Sequence, residues 1–252
     1  MATTRNGKAI IFSLDALTKS KTECEDTREL FIDLSASQFP YLHKHLSMSE
    51  IQKLVETSLI VFNACVEQTV IRNNQSPSFS VIAERALSTA LKRPAYDVEV
   101  AEVAHVLSRM LDITISRRHT ACLIALQRSG YMLGLVANSP LSASNLADDL
   151  ENVGIVKRFE TIITSSDSGV FKPNENIFRL AIESMSCDER DVIIVGSNLE
   201  RDIAPVEHFK SAKVFINNYK KRQRMPKGVL RISSLEELPY LNLDRLIKTR
   251  RR

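Results

Sequence analysis

The side chains best placed for chemistry stand at the ends of short apolar runs. Ser13 and Asp15 close the run that begins at Ala9, Asn138 follows Met132–Ala137, and Ser197 and Asp202 follow Val192–Val195. Lys172 adds a cation in the loop segment 169–174. Two carboxylates, an ammonium and two hydroxyls can support ion pairing, anion binding or proton transfer. Each also has a plain structural use. Asp15 can cap the turn after the first run, and Asp202 can favour the dipole of a helix start. Asn138 can bond a turn, Ser13 can satisfy a backbone group at a buried strand end, and Lys172 can pair with Asp202, Asp15 or a bound anion. A serine hydroxyl is a poor nucleophile without a base, and Asp15 is the only one that its own segment supplies.

Other chemistries are excluded by spacing and composition. The histidines (His43, His45, His105, His119, His208) are scattered, and the His43/His45 pair lacks acidic or cysteine neighbours at metal spacing. Cys24, Cys65, Cys122 and Cys187 lie tens of residues apart without a CxxC pair, which disfavours a zinc site or a disulfide framework and fits a reducing cytoplasm. Only seven glycines are present, so a glycine-rich phosphate cradle is not expected. The net charge of +4 is unevenly spread: residues 220–252 hold eleven basic and three acidic residues. Lys220, Lys221, Arg222, Arg224 and Lys227 form the densest cluster. The segment reads either as a solvated loop and frayed tail or as a surface for an acidic protein, RNA or DNA. Tyr219 is the only aromatic residue beside the 220–227 cluster for base stacking, so specific nucleic-acid recognition has little support.

These residues need a scaffold, and the hydrophobic pattern supplies one. Segments 9–13, 132–137, 161–164, 192–195, 213–216 and 229–232 are short, apolar and rich in β-branched residues, the mark of strands covered on both faces of a parallel sheet. Helical stretches at 120–128, 142–153 and 174–184 alternate with them, which predicts an α/β, doubly wound parallel sheet. In such sheets ligands bind outside the carboxyl ends of the strands. Residues 17–115 differ: Ile51, Leu54, Val55, Leu59, Phe62, Val66 and Val70 recur at helical steps, and 79–91 and 98–111 add two helices split at Arg93-Pro94. The expected organisation is a core of residues 1–16 and 116–243, an inserted all-helical unit at 17–115, and a basic tail at 244–252. With 44% hydrophobic and 25% charged residues, and no run of about 18 apolar residues, the chain has a globular composition and no expected membrane span.

Four strand-end segments fall in a familiar order. Lys8-Ala9-Ile10-Ile11-Phe12-Ser13-Leu14-Asp15-Ala16-Leu17 resembles the first motif of the haloacid-dehalogenase superfamily, hhhhDxDGT. Gly134-Leu135-Val136-Ala137-Asn138-Ser139-Pro140 resembles the second, a strand ending in Ser or Thr. Gly169-Val170-Phe171-Lys172-Pro173-Asn174 resembles the third, a Lys-Pro pair opening a helix, and Val192-Ile193-Ile194-Val195-Gly196-Ser197-Asn198-Leu199-Glu200-Arg201-Asp202 resembles the fourth, hhhhGDxxxxD. The resemblance spans residues 8–241 and implies a Rossmannoid core with the helical insert as a first-type cap.

It also implies roles: a nucleophilic aspartate forming an aspartyl-phosphate, an acid/base aspartate, a hydroxyl and a lysine on the phosphoryl oxygens, and carboxylates holding Mg²⁺. Here the nucleophile position is Ser13, the hydroxyl position is Ala137 and the first carboxylate of the fourth motif is Ser197. Asp15, Asn138, Lys172 and Asp202 remain, with Asn138 and Lys172 as ligand-binding candidates. Ser197-Asn198 also resembles the Mg²⁺-independent dehalogenases, which still require the aspartate absent at position 13. The expectation is a degenerate member without turnover and without a cofactor, at most a weak Mg²⁺ site from the Asp15 backbone and Asp202. It would bind a protein partner, with nucleic acid as a further component, through the basic segment. The alternative is a hydrolase of a small phosphate ester with altered chemistry, using Asp15 with Ser13 or a water and needing Mg²⁺.

Overall fold

The computed structural model describes residues 7–18, 35, 38–71, 78–109, 115–139, 142–152, 154–217 and 224–250. Lys220, Lys221 and Arg222 of the basic cluster lie outside them. The main elements in chain order are β1 (Ala9–Ser13), α1 (Met48–Ile71), α2 (Phe79–Leu91), α3 (Asp97–Arg109), α4 (Arg117–Arg128), β2 (Met132–Ala137), α5 (Ala143–Asn152), β3 (Thr161–Thr164), α6 (Asn176–Ser184), β4 (Val192–Gly196), β5 (Ala212–Ile216), β6 (Val229–Ile232) and α7 (Leu243–Arg250). Each predicted strand appears within a residue of its expected bounds.

The strands form one parallel sheet in the order β3-β2-β1-β4-β5-β6. Every residue of β1, β4 and β5 is buried, Lys213 of β5 included, as mostly apolar runs covered on both faces require. On one face α6 lays Ile177, Phe178, Ala181 and Ile182 against Ile11, Val136, Val192 and Ile194. The three- and four-residue steps of those α6 positions put them on one stripe. Fully burying a side chain of this size contributes roughly 1.5–3 kcal/mol. Because β1 lies between β2 and β4, the chain leaves β1 on one side and re-enters on the other. That switch point places the ends of β1 and β4 side by side, with Phe12 in register with Val195.

The chain divides into two units: Met1–Ser20 with Ile113–Ser139 and Ala143–Arg252, and Lys21–Asp112 with Pro140–Ser142. The described residues of the second unit are helical with short connections. In α2, Ser78 Oγ caps the start by accepting from the Val81 amide at 3.3 Å, and Phe79, Ile82, Ala83, Ala86, Leu87 and Ala90 form the buried stripe. The split expected at Arg93-Pro94 is held by charge. Glu99, nearly fully buried, takes a two-pronged contact from Arg93 at 2.5 and 2.9 Å and accepts from the Tyr96 amide at 2.9 Å. Glu102 accepts from the amides of Tyr41 and Leu42, tying the 39–46 segment to α3.

The C-terminal region departs from expectation. Instead of a frayed tail after residue 243, Leu243–Arg250 is the helix α7, with Leu243 and Ile247 buried. Asp244 pins it to the amino-terminal edge of the sheet, accepting from the Tyr131 hydroxyl at 2.6 Å and pairing with Lys8 at 2.7 Å. The high density of basic residues hid two apolar positions, Leu243 and Ile247, four residues apart.

Val229, which opens β6, is in register with Lys213, near the start of β5. Lys227, two residues earlier and exposed, therefore lies towards the amino-terminal edge.

Candidate functional site

Ser13, at the end of β1, is fully buried. Lys172 donates from Nζ to Ser13 Oγ at 2.5 Å and to Asp202 Oδ1 at 2.9 Å, and both Lys172 and Asp202 are fully buried. Asp202 Oδ2 accepts from the backbone amides of Ser197 at 3.0 Å and Asn198 at 2.9 Å. Burial by itself would raise the Asp202 carboxyl. The charge and hydrogen bond of Lys172, with the Asn198 and Ser197 amides, outweigh it and hold the group below the ordinary carboxylate value.

The local sequence explains how Asp202 arrives there. Gly196 ends β4, and a Cβ at this position would stand 2.3 Å from Asp202 Cβ. Glycine therefore lets the π-helical turn Leu199–Ile203 fold back closely on the strand. Asn198 starts that turn, its side chain accepting from the Arg201 amide at 2.9 Å.

Asn138 positions the lysine. Its Oδ1 accepts from the Lys172 amide at 2.7 Å and its Nδ2 donates to the Lys172 carbonyl at 3.0 Å. Both polar atoms of this side chain thus grip the backbone of the third segment. Ala137 is buried in β2, and beside it Thr164 ends β3, where its Oγ1 accepts from the Asp167 amide at 3.2 Å. Ser197 contributes its amide to Asp202 and is partly buried.

Asp15 is brought to the edge of the same cluster, 44% exposed, with Oδ2 3.7 Å from Lys172 Nζ. Arg201 Nη2 lies 3.6 Å from the same oxygen. Arg201 was not singled out from the sequence. Its neighbour Asp202 carries the spacing signal, and nothing in that spacing says that the side chain at position 201 turns towards Asp15. Arg224 and Lys227 are exposed, and neither belongs to this cluster of bonded groups.

The arrangement holds a fixed ammonium among two carboxylates and a hydroxyl. The Mg²⁺ implied by the resemblance requires near-octahedral oxygen donors at about 2.0–2.1 Å with one or two carboxylates among them. Serines stand at positions 13 and 197, and Asp202 uses Oδ1 on Lys172 and Oδ2 on two amides. The residues present do not fit the ion. Among the described residues there is no group of three or more His, Cys, Asp or Glu side chains able to hold a metal. Nor is any described helix long and apolar enough to cross a membrane.

Known proteins share this framework. A glyceraldehyde 3-phosphate phosphatase of Methanothermobacter thermautotrophicus is 26% identical over 125 residues, 48% of this chain and 54% of that protein. The pyrimidine 5'-nucleotidase YjjG of Escherichia coli is 30% identical over 118 residues, 45% of this chain and 51% of its own length. The chain thus spans about half the length of the curated relatives it matches. In three dimensions it is similar to a 2-haloacid dehalogenase from Pseudomonas syringae pv. Tomato, with a TM-score of 0.65 at 19% identity over 98% of this chain and 100% of the other. A HAD phosphatase from Thermococcus onnurineus superimposes with a TM-score of 0.56 at 20% identity over 92% and 96% of the two chains. These structural likenesses establish the fold. The model of the haloacid dehalogenase-like hydrolases matches residues 25–207, well over half of the sequence, and the chain belongs to that family.

Proposed function

We propose that this chain is a family member without phosphohydrolase turnover, used as a binding module in a protein assembly. The observation that carries the reading is the buried contact of Ser13 Oγ with Lys172 Nζ at 2.5 Å. The hydroxyl stands where the family has an attacking carboxylate, and the group bonded to it is a cation that donates to it. Activation of a serine calls for a base that takes its proton. Ala137 and Ser197 remove a phosphoryl-contacting hydroxyl and a metal-binding carboxylate at two further positions. The reading involves no metal and places the protein in the cytoplasm. The partner would dock on the basic segment, Lys220, Lys221, Arg222, Arg224 and Lys227, whose charge suits an acidic protein, with nucleic acid as a further component of the assembly. The helical unit would serve as the cap.

A second reading, a hydrolase of a small phosphate ester with altered chemistry, is favoured by Asp15, which stays 44% exposed at the cluster edge. It also draws on the names of the matched relatives, a phosphatase and a nucleotidase. Turnover on a panel of phosphate esters, with and without Mg²⁺ and beside Asp15→Asn, separates the two. The binding-module reading expects no rate above that control. Turnover that Asp15→Asn abolishes would establish the hydrolase instead.

A further inference from the structure

We infer that the cluster balances its carboxylates with fixed side-chain cations rather than with a divalent ion, with Ser13 and Ser197 as the positions that permit this and Arg201 as its outer member. Lys172 and Arg201 carry two positive charges; Asp15 and Asp202 carry two negative ones, and the four groups balance with nothing added. Their contacts run as a chain: Asp202 to Lys172 at 2.9 Å, Lys172 to Asp15 at 3.7 Å, and Asp15 to Arg201 at 3.6 Å. Aspartates at positions 13 and 197 would add two negative charges, the amount that one divalent ion neutralises. Two serines remove both that charge and the need for the ion.

Geometry points the same way. A divalent ion must dehydrate partly and collect oxygens that are free to turn towards it. Ser13 Oγ and Asp202 Oδ1 both face the Lys172 ammonium, and Asp202 Oδ2 faces two amides. An ion at this point would stand beside a buried ammonium and compete with it for the same lone pairs. Arg201 extends the positive end of the cluster to the surface, since its side chain is 44% exposed. A guanidinium stays charged at all working pH values and presents several donors.

This inference shares with the proposed function the serines at 13 and 197, but it can fail separately. The test is Mg²⁺ titration by calorimetry, with the unfolding midpoint followed at matched ionic strength. The wild-type chain is expected to give no saturable heat and no Mg²⁺-dependent rise in midpoint. The Ser13→Asp/Ser197→Asp double variant is expected to gain both, the midpoint rising with the logarithm of Mg²⁺ concentration. Ser197→Asp alone, at a partly exposed position whose backbone amide makes the contact, guards against misfolding of the double variant and should show a weaker gain. Saturable Mg²⁺ binding by the wild type that Asp202→Asn removes would overturn the inference. So would folded variants, by circular dichroism, that gain nothing. Mg²⁺ binding without turnover would sink this inference and leave standing the proposal of a binding module without turnover; metal-free turnover would do the reverse.

Discussion

Lys172 Nζ lies 2.9 Å from Asp202 Oδ1 with both side chains out of contact with solvent, so one buried ion pair joins the third and fourth strand-end segments. Desolvating two charges is costly, and such a pair holds only when its remaining lone pairs and protons are satisfied. Here Ser13 Oγ accepts a further hydrogen bond from the ammonium, and the Ser197 and Asn198 amides donate to the other carboxylate oxygen.

Removing one partner exposes that cost. Lys172→Met should lower unfolding free energy by about 3–5 kcal/mol, because Asp202 would remain buried without its cation. Denaturant melts at neutral pH check this. A change below about 1 kcal/mol would mean that solvent reaches the carboxylate.

The same pair sets an acid limit. The Asp202 carboxyl is held below its ordinary value in the folded chain. The unfolded chain therefore binds that proton more readily, and folding gains stability from this group above the ordinary aspartate value near 3.9. That contribution is lost as the pH falls through the lower, folded value. Asp202→Asn should flatten the acid side of the stability profile between those two values, measured by melts at successive pH.

Gly196 makes room for the turn. Gly196→Ala places a methyl 2.3 Å from Asp202 Cβ, closer than any real contact, so the turn Leu199–Ile203 must shift. The expected loss is about 1–3 kcal/mol for overpacking. In amide exchange, the protons of Ser197 and Asn198 should lose protection, since those amides hold Asp202. Unchanged protection would show that the turn moves as a unit.

Asn138→Ala removes both bonds to the Lys172 backbone. A cost of about 1–3 kcal/mol is expected from the unpaired amide and carbonyl if water does not replace the side chain. Asn138→Asp keeps the acceptor but loses the donor, so it should cost less. Equal losses for the two variants would mean that the retained acceptor contributes nothing without the donor.

The proposed role of the basic segment predicts a salt-dependent interaction. Wild-type protein should bind a polyanionic resin, and reversal of Lys220, Lys221, Arg222 and Arg224 to Glu should shift its elution to lower salt. Retention unchanged by the reversal would move the docking surface away from this segment. Titration of a single-stranded RNA homopolymer then distinguishes a polyanion in general from nucleic acid.

The sequence by itself determined the six strands and the alternation of helices around them, because each short β-branched run must bury two faces and each helical stripe one. It also placed Ser13, Ala137 and Ser197 at strand ends. These are local properties, set by residue type and period. The tertiary structure decided the rest. Ser13 and Lys172 are 159 residues apart, and only the strand order β2-β1-β4 brings them within 2.5 Å. Sequence spacing could place Arg201 beside Asp202 in the chain but not beside Asp15 in space. The two apolar positions of α7 gained meaning only from the sheet edge and Tyr131 that receive them. Partner choice of this kind depends on which distant surfaces the fold brings together, a property that no local pattern encodes.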